Sequence, residues 1–189
     1  MNNDLFELCV NIEELKGRPK DYWDEIEEDD KCTYQDLSCE VVINGETIKC
    51  YSDIFAFFDN ILDKGDCKPL WADKDQRGEY SDFYPFTCSC GIAGCASIWE
   101  GIFTKHRKHS IEWKIKQKEL NGYKFMDKAF YSFDKSLYTQ QIKKAWDKIT
   151  TAVEEQKTFP ENRQGFDSWT LSHVEYIQDH INFKDSVLN

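Results

Sequence analysis

The chain has 189 residues, 40% of them hydrophobic and 15% aromatic, with 35 Asp+Glu against 24 Lys+Arg. Thirteen Phe, nine Tyr and six Trp supply enough apolar surface for a core, which excludes a disordered chain. The length sets a single domain over 1–189 as the expectation, and the net charge of −11 argues against nucleic acid bound through a general basic footprint.

The N-terminal "MNNDLFELCVNIEELKG" has neither a basic n-region nor an apolar h-region, so no secretory signal is expected. No run approaches the roughly 18 apolar residues of a membrane span. The expectation is a soluble, cytoplasmic protein with no membrane partner. In a reducing compartment the eight cysteines stay as thiols. Cys9, Cys39 and Cys50 are then small buried residues, and Cys32 and Cys67 sit in polar, more exposed stretches.

Residues 5–12, "LFELCVNI", alternate and predict a first strand. The following "GRPKDYWDEIEEDDKCTYQD" predicts a long loop with a short helix near Tyr22 to Ile26. In "LSCEVVINGETIKCYS" two β-rich runs flank Asn44-Gly45, the preferred pair of a type I′ hairpin. A helix follows in "SDIFAFFDNILDKG", with Ser52 as N-cap, Gly65 beyond its end, and a stripe of Ile54, Phe55, Phe58, Ile61 and Leu62.

After the loop "DCKPLWADKDQRG", the run "EYSDFYPFTCSC" predicts a strand bent at Pro85. "ASIWEGIFTKHRKHSIEWKIKQK" predicts a second hairpin turning near residues 106–109. Its return strand points Trp113 and Ile115 one way and Lys114, Lys116 and Lys118 the other, and lysines there discourage edge-to-edge pairing. "NGYKFMDKAFYSFD" predicts a linker with one short strand. The strongest helix spans 135–157, capped by Asp134, with Tyr138, Ile142, Ala145, Trp146, Ile149, Ala152 and Val153 on one face. A last helix is predicted to open on a Ser172/Glu175 capping box, with Val174, Ile177 and Ile181 inward. This order predicts an α+β domain: an antiparallel sheet from two hairpins with helices on one face.

The densest chemistry lies in "FTCSCGIAGCASIWEGI", residues 86–102. Cys88 and Cys90 share one side of an extended chain, and Gly91 and Gly94 allow a turn that brings Cys95 back. With His106 or His109 as a fourth ligand, this is a candidate zinc site, although a second C-x2-C pair is missing. A nucleophilic cysteine would need a base from among His106, His109, His173 and His180, and no signature pairs one with a thiol. The reading preferred from the residues is packing: Phe86, Cys88 and Cys90 inward, the glycines turning at positive φ, and Cys95 and Ile98 resuming the core. No cofactor and no catalytic residue is therefore expected. Phosphate-loop, dinucleotide, nucleophile-elbow and H-E-x-x-H motifs are absent, and His173 and His180 have packing spacing rather than ligand spacing.

The segment, continued by "SIEWKI", resembles small bacterial proteins carrying F-x-C-x-C-G-x-x-G-C, followed by a glycine and a strand with a tryptophan. The matching positions are Phe86, Cys88, Cys90, Gly91, Gly94, Cys95, Gly101 and Trp113. In size and acidity the chain is also similar in kind to the immunity proteins of contact-dependent growth inhibition and related toxin systems. That resemblance implies a non-enzymatic antitoxin that binds a cognate toxin domain, such as a basic nuclease. Charge placement adds to it. Residues 1–100 hold 23 Asp+Glu against 9 Lys+Arg, whereas residues 101–189 hold 12 against 15. The densest acidic stretch is "DYWDEIEEDD", in which Tyr22 and Trp23 stand among Asp24, Glu25, Glu27, Glu28, Asp29 and Asp30. Aromatic anchors in a charged surround suit a partner-binding surface. The plainer alternative for this stretch, and for Glu13-Glu14, is a solvated loop.

Overall fold

Fifteen short and long elements alternate along the computed structural model, which describes residues 3–16, 32–62, 81–88, 92–120, 123–124, 126–160 and 163–180. The strands are β1 (Phe6–Lys16), β2 (Thr33–Ile43), β3 (Glu46–Thr47), β4 (Tyr51–Ser52), β5 (Ser81–Phe83), β6 (Phe86–Thr87), β7 (Ile102–His106), β8 (Ser110–Lys114), β9 (Glu119–Leu120), β10 (Tyr123–Lys124) and β11 (Phe130–Asp134). The helices are α1 (Ile54–Leu62), α2 (Lys135–Gln156) and α3 (Ser168–His180), with a 3-10 turn at Gly94–Ala96. The fold class is α+β with antiparallel strand pairing, as the sequence predicts.

The chain divides into two compact units, residues 1–9 with 39–142 and residues 10–38 with 143–189. The boundaries fall inside β1, β2 and α2.

In the first unit the Asn44-Gly45 turn is of type I′, with φ of 54° and 83°, and pairs Ile43 with Glu46. Asn44 has a second task. Its Oδ1 accepts from Leu5 N (2.9 Å) and its Nδ2 donates to Asp4 Oδ1 (2.9 Å). Asp4 also accepts from Ser132 N (3.1 Å) and Lys128 Nζ, and its own N–H donates to Ser132 O (2.8 Å). The turn residue thus fastens the start of β1, while Asp4 fastens it to β11. Burial alone would raise the Asp4 carboxyl, but the bonds from Lys128, Asn44 and Ser132 outweigh it and hold the pKa below the ordinary carboxylate value. A depressed folded pKa stabilises the fold above the unfolded value of about 3.9, and that stability is lost as pH falls through the lower folded value. Asp4→Asn is expected to flatten the acid limb of the stability–pH curve below about pH 5, read by denaturant melts. Asn44→Gly keeps the turn and loses the clamp, at about 1 kcal/mol; Asn44→Ala adds the left-handed strain, about 1–2 kcal/mol more.

Pro85 divides the predicted strand. β5 joins a four-stranded sheet of order β11-β8-β7-β5, whereas β6 pairs with β4, matching Ser52 to Phe86. The two predicted hairpins therefore stand in separate sheets, β2–β3 beside β1 and β7–β8 in the four-stranded sheet. The second hairpin turns at residues 107–109, and its return strand buries Trp113 and Ile115 while exposing Lys114, Lys116 and Lys118.

The first unit's core is aromatic. Trp113, fully buried, has the rings of Phe6, Phe57, Phe83, Phe133 and Tyr138 within 5.0–6.4 Å. Among the described side chains of α1, Ile54, Phe55, Phe57 and Phe58 are buried, so Phe57 joins the predicted stripe, while the side chains of Ile61 and Leu62 lie outside the described ones. The cap of α1 is Asp53, whose Oδ1 accepts from Phe55 N (2.9 Å), and not Ser52, which lies in β4. Gly65 lies outside the described residues.

In the second unit Trp146, Ile149, Ala152, Phe166, Val174 and Ile177 are buried. Asp134 caps α2 through Leu137 N (3.0 Å), as predicted. The last helix starts earlier than predicted: Asp167 Oδ1 accepts from Thr170 N (2.6 Å), and Ser172 lies within the helix with its hydroxyl on Trp169 O (2.9 Å). Here β2 also begins at Thr33, inside the predicted loop, because Thr33 O and Gln35 N bond the backbone of Gln164 and Gly165.

Candidate functional site

The cysteine segment starts from a fixed base. β4 pairs with β6, Cys50 Sγ donates to Thr87 O (3.5 Å), and Asp53 N donates to Pro85 O (2.8 Å). Cys88 N then closes the loop by donating to Ile92 O (3.4 Å). Ala93 to Ile98 form a hydrogen-bonded turn in which Ser97 N reaches Gly94 O and Ile98 N reaches Ala93 O, both at 3.0 Å. The left-handed position is Ser97 (φ 62°), not Gly94 as predicted. A Cβ at Gly94 would stand 3.4 Å from the Trp99 ring, an ordinary contact, so neither space nor backbone conformation requires glycine there. Cys90 and Gly91 lie outside the described residues.

Gln117, which the sequence reading passed over, holds this turn in place. Its Nε2 donates to Ser97 O (2.7 Å), and its Oε1 accepts from Trp99 N (2.9 Å) and Glu100 N (3.4 Å). The only sequence signal was an amide interrupting the lysines of "KIKQK". The turn presents apolar side chains to water, with Ile92 at 54% and Trp99 at 73% exposure. The packing expectation is thus half met. Phe86 and Ile98 are buried, but Thr87 is buried beside Phe86, Cys88 is half-buried, and Cys95 is exposed.

Cys88 is disulfide-bonded, against the expectation that every cysteine is a thiol. The other described cysteines, Cys9, Cys32, Cys39, Cys50 and Cys95, carry no disulfide. A disulfide sulfur is no thiolate ligand, so Cys88 in this state does not complete the candidate zinc set. Of the other members, His106 is half-buried at the end of β7 and His109 is exposed in the hairpin turn. Among the described residues no three His, Cys, Asp or Glu side chains gather as a metal site. His173 Nδ1 lies 2.8 Å from Trp169 O, one turn back on α3, and its ring packs on the Trp169 indole at 4.2 Å. His180 side-chain geometry is not among the described features.

The proposed partner-binding residues Tyr22, Trp23, Asp24, Glu25, Glu27, Glu28, Asp29 and Asp30 lie outside the described residues. In the second unit, the described part of the chain forms an open groove lined by Ile12, Gln35, Asp147, Lys148, Thr151, Ala152 and Glu155. Its cation is engaged, with Lys148 Nζ donating to Val10 O (2.6 Å). Among the described residues no helix is long and apolar enough to cross a membrane.

Compared with known proteins, the chain matches no family model, no curated protein and no solved structure.

Proposed function

We propose that this chain is a non-enzymatic protein-binding module of the immunity type, which holds a toxin domain with a basic cleft inactive. The observation that carries this reading is the uneven charge: 23 Asp+Glu against 9 Lys+Arg in residues 1–100, with seven of the acids in residues 21–30. A nuclease cleft is basic because it must hold phosphates. An acidic surface of matching shape steers to such a cleft, speeds association and occludes it. Tyr22 and Trp23 supply the apolar contact that long residence requires. Trp99 and Ile92, held out on a rigid turn in the same acidic half of the sequence, supply further anchors of this kind.

The test is a binding measurement with the toxin domain encoded beside this chain's gene. The pair is expected to co-purify, with association that slows as salt rises. Reversing Asp24, Glu25, Glu27 and Glu28 to lysine is expected to weaken the complex by about a hundredfold or more and to flatten its salt dependence. A complex that is indifferent to this reversal removes the acidic surface from the account. A neighbouring toxin domain that does not bind removes the immunity reading itself.

A further inference from the structure

The four-stranded sheet of the first unit has one buried face and one partly open to water. Ile102, Thr104, Ile111, Trp113, Tyr131 and Phe133 point inward and are buried. The alternate positions carry Phe103 and Lys105 on β7, Glu112 and Lys114 on β8, and Phe130 and Ser132 on β11. Pairing sets Phe103 opposite Lys114 and Lys114 opposite Phe130, so one row across the sheet is Phe–Lys–Phe. At about 4.8 Å per strand, its two aromatic positions stand about 10 Å apart. Phe130 is 48% exposed and Lys114 is exposed, whereas Phe103, Lys105, Glu112 and Ser132 are half-buried. Just past β8, Lys116 Nζ lies 3.8 Å from the Phe103 ring centre, and Lys118 is exposed.

This face is basic inside an acidic chain. Residues 103–118 hold six Lys+Arg and one acid, Glu112. That acid is already paired with Arg107 at 3.1 Å. Whole-chain charge acts weakly beyond the screening length, about 8–10 Å at physiological salt, so the hairpin's own cations govern a ligand in contact with it.

We infer that this face binds single-stranded nucleic acid. The inference is independent of the immunity reading and concerns a different surface. Lysines at every second position from Lys114 to Lys118 offer a track for phosphates, and the exposed Phe130 offers a flat ring for a base. An acidic protein segment would satisfy the lysines and leave the exposed Phe130 ring without a matching partner. A base-bearing polyanion satisfies both, and readout by stacking is tolerant of sequence.

The experiment is fluorescence anisotropy of the full chain with a labelled oligothymidylate of about fifteen nucleotides, at 50 and 200 mM salt. Saturable binding is expected, with the logarithm of affinity falling by about 0.7 per phosphate contact for each tenfold rise in salt. Phe130→Ala should weaken it roughly tenfold, near the lower end of base–aromatic stacking. The double variant Lys114→Glu/Lys116→Glu should abolish it. All three side chains lie outside the buried core, so the thermal melt should hold. Absence of binding by the unaltered chain overturns the inference, as does binding that these variants leave intact. Polyglutamate binding as tightly as the oligonucleotide also overturns it, because the face would then recognise negative charge alone, as for an acidic protein.

Discussion

Replacing Trp113 by alanine is expected to cost about 3–5 kcal/mol, most of the stability of an ordinary domain. The side chain has no exposed surface, and five aromatic rings surround it. Its removal leaves a cavity that rigid rings fill poorly, because β8 is held on both sides by β7 and β11. The edge-to-face pairs with Phe83, Phe133 and Tyr138 are lost as well. Among the described residues neither the buried indole N–H nor the buried Tyr138 hydroxyl has a well-formed partner. Burial drives the Tyr138 phenol pKa up, and a weak contact from the indole offsets little of it. Trp113→Phe deletes one of these unsatisfied groups while keeping most of the volume, so it should cost well under half as much as the alanine change. Urea titration followed by circular dichroism separates the two. An alanine variant within about 1 kcal/mol of the parent chain would show that this ring cluster is not the centre of the core.

Much of the fold was legible where a local signal and the tertiary environment agree. Asn44-Gly45 specifies its turn by backbone sterics alone, and "SIEWK" alternates because one face of β8 is buried and the other is wet. The boundaries were less legible where two residues compete for one role. Ser52 and Asp53 are both good caps, and pairing of Ser52 with Phe86 decides for Asp53. Ser172/Glu175 satisfies the capping-box pattern, yet Asp167 lies five residues earlier and starts the helix there. The acidic candidate surface was read wholly from composition. The turn that exposes Trp99 was not legible, because Gln117 sits about twenty positions away and its hydrogen bonds leave no periodicity in the sequence.

The cysteines are expected to differ in alkylation rate by about a thousandfold or more, and the order tests how the segment around Gly94 is built. Cys95 is exposed and free, so iodoacetamide meets it without any opening of the fold. Cys39 is 7% exposed, and its thiol pKa is driven up by burial first, with Asp53, Cys9 and Glu40 adding repulsion. A buried thiol of that kind reacts only through opening. An opening that costs about 4 kcal/mol, within the stability of a typical domain, slows the reaction about a thousandfold. Cys50 falls between them: it is half-buried, and burial raises its pKa against a smaller opposing bond from the Tyr51 backbone. Its raised pKa leaves less thiolate at neutral pH, so its rate should keep climbing above the ordinary thiol value of about 8.5. Peptide mapping of a labelling time course reads each site separately. Cys39 reacting within tenfold of Cys95 would mean that the β2 strand opens freely and that this part of the first unit is not a stable core. If alkylation confined to Cys95 also leaves the proposed toxin binding unchanged, the exposed thiol takes no part in that proposed interface.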